Sequence, residues 1–155
     1  DDRLIPDILR AFEKNKPVII RNPKATRPWQ HVLEPLSGYL VLAQSLCKDH
    51  KCYAGGWNFG PNGQDVKPVD WILEKMISKW PGSSWELDTN SNPHEAGYLK
   101  LNILKAKSKL DWTPLWGLEQ ALEKIIIWHQ AWINKENIQA ICLAEVEEYM
   151  RDMNK

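Results

Sequence analysis

Apolar stripes at helical spacing alternate along this chain with β-branched and aromatic runs of three or four residues, and that alternation restricts it to an α/β architecture. Leu4, Ile5, Ile8, Leu9 and Phe12 predict a helix from Leu4 to about Lys14, with Pro6 in the first turn, where its missing donor is not needed. Asn15 and Pro17 stop it. Val18-Ile19-Ile20 reads as a short strand or as an apolar loop. Val32, Leu36, Tyr39, Ala43 and Leu46 mark the inner face of a second helix, and Gly55-Gly56 with Gly60-Pro61 bracket Trp57-Asn58-Phe59 as a strand and turn would be bracketed. Pro68 opens a third helix with Ile72, Leu73, Met76, Ile77 and Trp80 inside and Pro81-Gly82 at its end. Trp85-Glu86-Leu87 is a further strand candidate. Beyond the polar loop Asn90 to Pro93, Tyr98 to Leu101 alternates, and Asn102 caps a short helix through Leu104 and Leu110. Pro114 separates this from a long helix carrying Leu118, Leu122, Ile125, His129 and Trp132, and a last helix spans Ile138 to Met150. Three or four strands this short make an incomplete sheet.

Twenty basic residues balance twenty acidic ones in 155, so no global field draws the chain to nucleic acid or to an anionic membrane. An anionic ligand has to be held locally. Cys47, Cys52 and Cys142 are odd in number and lack paired metal spacing, which fits reduced packing thiols of a cytoplasmic protein. No apolar run approaches a membrane span of ~20 residues. The start at Asp1-Asp2-Arg3, without methionine, reads as cut from something longer.

Most routes to chemistry find no residues here. There is no glycine fingerprint to cradle a dinucleotide, no serine in a nucleophile elbow, and no pairing among His31, His50, His94 and His129 that suits a metal, so neither catalytic nor metal-binding residues are expected. Arg21-Asn22-Pro23-Lys24-Ala25-Thr26-Arg27-Pro28-Trp29-Gln30-His31 remains. Guanidinium groups bind phosphate bidentately and a neighbouring loop with flat side chains can hold a base, although a charge-rich turn is more often only a solvated surface. Nine tryptophans could stack on sugar rings, but Trp71, Trp80, Trp128 and Trp132 fall on or near helical stripes and read as core. His129 likewise reads as packing. His94 lies in a loop, where it is either a ligand contact or plain surface.

These segments, in order, resemble the second half of the extended short-chain dehydrogenase/reductase enzymes that act on nucleotide sugars, and within them the CDP-glucose 4,6-dehydratases. The resemblance runs from Asp2-Arg3-Leu4-Ile5-Pro6-Asp7 through Arg21-Asn22-Pro23, Thr26 to Tyr39, Trp57 to Pro61, Pro93 to Ala96 and Tyr98 to Leu101, to Leu118-Glu119-Gln120-Ala121-Leu122-Glu123. Its most specific part is Arg27-Pro28-Trp29-Gln30-His31, where broader relatives resemble Arg-Asp-Trp or Arg-Asp-Tyr. It implies one region, residues 1–155, that binds sugar nucleotide and includes the last helix and strand elements of an incomplete Rossmann-type sheet. It further implies that Arg27 meets the pyrophosphate of CDP-glucose, that Leu4, Pro6, Ile20 and Arg21 lie near the nucleotide, and that His94 sits in a second phosphate-facing loop. Two departures stand out: the arginine common in that second loop is missing from Glu95-Ala96-Gly97, and Asn102 replaces an aspartate.

By the same resemblance the intact enzyme is a homo-oligomer that uses NAD to oxidise C4 of CDP-glucose, eliminates water across C5 and C6 and returns the hydride to C6. The NAD loop and the Tyr-x-x-x-Lys pair would precede Asp1, so this chain is expected to bind the nucleotide half alone. With strands missing, marginal stability, an altered fold or self-association is expected. Two other readings stay open, a freestanding nucleotide-sugar-binding module and an interaction protein that pairs through an exposed sheet edge and its last helices.

Overall fold

The computed structural model describes residues 3–90 and 97–155. Helix α1, Leu4–Glu13, buries Ile8, Leu9 and Phe12 as its spacing dictates. It ends in a Schellman turn: Asn15 adopts φ 50°, Asn15 N–H bonds Phe12 O and Lys16 N–H bonds Ala11 O. Strand β1, Val18–Ile20, follows at once and pairs in parallel with β4, Trp85–Leu87, in the register Val18 with Trp85 and Ile20 with Leu87. Both strands expected there are present. Helix α4, Val69–Ser78, lies in the crossover between them and buries Val69, Ile72, Leu73 and Met76. Helix α6, Leu118–Ile133, packs against α4 and α1 and adds Leu118, Leu122 and Ile126 to the main core.

A second sheet pairs β2, Thr26–Pro28, antiparallel with β3, Val66–Pro68. The sequence predicts a loop from Arg21 to Arg27. That holds for the turn closed by Ala25 N–H on Asn22 O, but Thr26 onward is strand, because its partner comes from a segment 40 residues away that no local pattern reveals. The converse correction applies to Trp57-Asn58-Phe59, expected as a strand. It is irregular, since no segment among the described residues offers it a ladder. Instead the Phe59 ring enters a smaller core with Ile103, Ala106, Leu110 and Trp112. Ile103 and Ala106 flank and enter α5, Leu104–Leu110; the N-cap is Ile103 rather than the expected Asn102, whose Oδ1 accepts Leu104 N–H at 3.0 Å from one residue further out.

Helix α2, Leu33–Lys48, lies where periodicity puts it but is turned, and a one-turn helix, α3, His50–Tyr53, follows it. Val32, Leu36 and Tyr39 of the expected inner face are 61%, 45% and 56% exposed, whereas Glu34, Ser37 and Gly38 are buried. The cause is polar. Glu34, fully buried, accepts Leu115 N–H at 2.9 Å, Trp116 N–H at 2.7 Å and the Tyr149 hydroxyl at 2.8 Å, and Ser37 Oγ accepts Trp112 Nε1–H at 2.9 Å. Those bonds fix the rotation of α2 and dock the last helix, α7, Ile138–Met153, through Tyr149. α7 starts at Asn137, whose side chain accepts Ala140 N–H. Trp132, expected in the core, is half exposed, whereas Trp112 and Trp116 are buried. No helix among the described residues is long and apolar enough to cross a membrane.

Candidate functional site

The end of β1 and the start of β2 face the first turn of α1 across a cavity of about 510 Å³. Its walls include Arg3, Leu4, Ile20, Arg21, Arg27 and Trp29. Four residues singled out from the sequence, Leu4, Ile20, Arg21 and Arg27, are therefore brought together from three elements. Pro6 is not among them: it lies on the opposite side of α1, in a separate groove. His94 falls outside the described residues.

Local chemistry holds the basic turn in place. α4 begins directly under it, with Val69 N–H bonded to Ala25 O at 3.0 Å and Asp70 N–H to Pro23 O at 2.9 Å, while Lys24 pairs with Asp70 at 2.6 Å. Arg27 is half-buried on β2 and donates from Nη1 to the Thr26 carbonyl at 3.0 Å. Trp29 is pinned by its indole N–H on Lys67 O at 2.9 Å. Among the described residues three arginines border the cavity together with one carboxylate, Asp7, which pairs with Arg10 along α1. Although the chain is neutral overall, this mouth gathers three guanidinium groups beside a floor of Leu4, Val18 and Ile20. A ligand with an anionic group attached to a flat, less polar body suits such a site. Arg3 joins Arg21 and Arg27 with no signal in the sequence for such a role beyond being a basic residue just ahead of the first apolar stripe.

The separate groove, about 610 Å³, runs between α1, α6 and α7 and is lined mostly by apolar side chains. His31 and His129 both line it, so His31 is not part of the arginine cavity. Burial pushes both imidazoles below their ordinary value of 6.5, in His31 with Lys124 adding to the effect and in His129 against the opposing pull of Glu13. The consequence for stability has a definite sign. As pH falls through 6.5 the unfolded chain takes up protons that the folded imidazoles refuse, so stability falls with them. Glu145, pushed above its ordinary 4.5 by burial, works in the other direction only at the acid end, because its folded carboxyl protonates first. The urea midpoint is expected to drop between about pH 7.5 and about pH 5.5, and a His31→Gln, His129→Gln variant to lose most of that drop. A midpoint that is flat or rises on acidification would contradict the assignment.

Among the described residues no group of three or more histidine, cysteine or carboxylate side chains could hold a metal ion. Residues 1–155 contain no glycine-rich loop of the dinucleotide-binding kind.

No family model matches the chain. By sequence it is 53% identical over 150 residues to the CDP-glucose 4,6-dehydratase of Salmonella typhimurium, an alignment covering 96% of this chain and 42% of that protein. It is 23% identical over 128 residues to UDP-glucuronic acid decarboxylase 1 of Arabidopsis thaliana, covering 81% of this chain and 27% of the relative. By structure it matches the UDP-N-acetylglucosamine 4-epimerase from Bacillus cereus with a TM-score of 0.59 at 16% identity, over 84% of this chain and 44% of the epimerase. The fold is thus the α/β fold of an extended short-chain dehydrogenase/reductase, and the chain spans less than half the length of the relatives it matches.

Proposed function

Because this chain is related over nearly its whole length to a CDP-glucose 4,6-dehydratase, we propose that it is the nucleotide-binding region of such an enzyme, holding the CDP moiety of CDP-glucose in the arginine-bordered cavity. The observation that carries this reading is the convergence of Leu4, Ile20, Arg21 and Arg27 on that one cavity. Arg27 holds the pyrophosphate: its guanidinium is set on a strand, half-buried, where two parallel N–H groups can meet two phosphate oxygens. Arg21 and Arg3 add positive charge at the mouth. Leu4 and Ile20 supply apolar floor for the nucleoside, with Trp29 as its flat wall. His94 is the further phosphate contact of this reading.

NAD supplies the hydride acceptor and donor of 4,6-dehydration when bound. This chain's own contribution is to bind and orient the nucleotide end of the substrate, leaving the sugar free to reach a catalytic half that residues 1–155 do not supply. On this reading residues 1–155 form one functional region, and the complete enzyme is a homo-oligomer in the cytoplasm.

Calorimetric titration tests the assignment. CDP-glucose and CDP are expected to bind with one-to-one stoichiometry, CDP at similar strength because the contacts are to the nucleotide, with UDP-glucose as the competitor that gauges base selectivity. Arg27→Ala is expected to weaken binding by roughly 10- to 100-fold, the loss of a charge-assisted hydrogen-bond pair worth about 1.5–3 kcal/mol. Equal affinity in the variant would remove Arg27 from the site.

A further inference from the structure

A nucleotide in the arginine-bordered cavity brings a base whose polar edge has to meet protein, and the lining side chains differ in what they offer it. Arg3, Arg21 and Arg27 carry donors only. Trp29 has its one N–H on Lys67 O at 2.9 Å, so it offers a base a flat face and no polar atom. Among the described residues two lining side chains are able to accept a hydrogen bond, Asp7 and Asn22, and the rest of the wall is apolar. The two acceptors are not equivalent. The Asn22 amide both accepts and donates, so it suits any base, whereas the Asp7 carboxylate only accepts.

Asp7 also stands where a base would lie. It follows Leu4 by three residues on α1, which puts the two side chains on one face of the helix, and the cavity takes its lining from both. Arg10 engages Asp7 Oδ1, and Oδ2 has no hydrogen-bond partner among the described residues. Asp7 N–H bonds Arg3 O at 3.0 Å, so the guanidinium donors of Arg3 are carried one turn ahead on the same helix. An acceptor and a set of donors therefore border the α1 side of the cavity together. Cytosine's edge calls for that combination, since its N4 amine donates while N3 and O2 accept. Uracil reverses the first two positions, with O4 accepting and N3–H donating.

Resting on the nucleotide reading of this cavity, we propose that Asp7 sets the base selectivity of the site: Oδ2 accepts from the N4 amine of cytosine while Arg3 donates to N3 or O2. A uracil seated in the same way sets O4 against the carboxylate, two acceptors with no proton between them, and is rejected. The base then lies against α1 and the pyrophosphate against Arg27 on β2.

Calorimetry on the whole chain with CDP and with UDP is expected to give an affinity ratio of roughly 10 to 100 in favour of CDP. Asp7→Asn is expected to bring that ratio close to one, chiefly by tightening UDP, because the amide can turn its donors to O4. Pyrimidin-2-one riboside diphosphate, which is CDP without the amine, is expected to bind the unaltered chain about tenfold more weakly than CDP. Arg10→Ala, which breaks the pair on α1 but keeps the carboxylate, is expected to leave the ratio unchanged.

An acidic residue in the first turn of a helix also supports the helix itself, and a role confined to that would weaken both nucleotides alike in Asp7→Asn. A ratio that the variant leaves unchanged, or a ratio near one in the unaltered chain, would overturn the proposal. If CDP binds, Arg27→Ala weakens it and Asp7→Asn leaves the ratio as it was, the cavity remains a nucleotide site and only the role of Asp7 falls. If neither nucleotide binds a folded chain, both assignments fall together.

Discussion

Replacing Glu34 by alanine is expected to destabilise the chain by about 3–6 kcal/mol, a large share of the roughly 5–15 kcal/mol that holds a domain together. The magnitude follows from what the carboxylate leaves behind. Leu115 N–H, Trp116 N–H and the Tyr149 hydroxyl all donate to it at 2.9 Å or less, in a setting where Glu34 is 0% exposed and Trp116 and Tyr149 are nearly so. Each orphaned donor costs about 1–3 kcal/mol, less where water can enter the space the side chain vacates. Burial, together with the bond to Glu34, also holds the Tyr149 hydroxyl well above its ordinary value, so it stays a donor across the working pH range. Because Glu34 joins α2, the 115–116 turn and α7, its loss is expected to free α7 first. Hydrogen exchange across Ile138–Met153 is expected to accelerate more than exchange in α4, and the urea midpoint to fall sharply. Tyr149→Phe removes one donor rather than the shared acceptor and is expected to cost only about 1–2 kcal/mol. A loss below about 1 kcal/mol in Glu34→Ala would mean that the turned orientation of α2 does not depend on this network.

The second large effect is expected at Gly38. On helix propensity alone Gly38→Ala, inside α2, should stabilise by about 0.5–1 kcal/mol. Packing reverses the sign. A Cβ there would sit 2.2 Å from Phe59 Cδ1 and 2.6 Å from Cε1, and the ring cannot simply retreat, since Trp112 stands edge-on at 5.0 Å and Tyr39 at 5.5 Å. Overpacking of this kind costs about 1–3 kcal/mol and more where a ring must leave its place, so a net loss of about 2–4 kcal/mol is expected by urea denaturation. Pairing it with Phe59→Leu should recover part of that loss, and the coupling between the two substitutions measures the clash. A stabilised Gly38→Ala would show that the helix and the Trp57-Asn58-Phe59 segment are less closely packed than described.

These two residues also show where the sequence was opaque. The helices α1, α4 and α6 were legible because each buries an apolar stripe at its own spacing, whereas α7, legible as a helix after the polar break before it, buries only Tyr149. α2 was legible as a helix but not in its orientation: a pattern of apolar residues assumes an apolar partner, and here the partner is a buried carboxylate with three donors. β2 and β3 are held to each other across some 40 residues, so neither has a local signature beyond its flanking turns. Trp57-Asn58-Phe59 has the composition of a strand, yet a strand exists only where another backbone pairs with it.

Within the candidate site, Arg27, Arg21 and Leu4 could be named in advance because they lie in the segments that resemble nucleotide-sugar enzymes, and Ile20 because it immediately precedes one, and they do converge. Pro6 follows the same stretch of sequence but the helical turn carries it to the other side of α1. The apolar groove had no sequence signature, because its walls come from segments more than 100 residues apart.

The central claim, that a nucleotide occupies the arginine-bordered cavity, is tested most directly by titrating CDP into isotopically labelled chain and following its backbone amide resonances. Saturable shifts concentrated at Leu4, Ile20, Arg21 and Arg27, with the Trp128 and Trp132 amides still, are the predicted result. Shifts that saturate elsewhere, or none in a sample whose spectrum shows it folded, would contradict the assignment of this cavity as a nucleotide site.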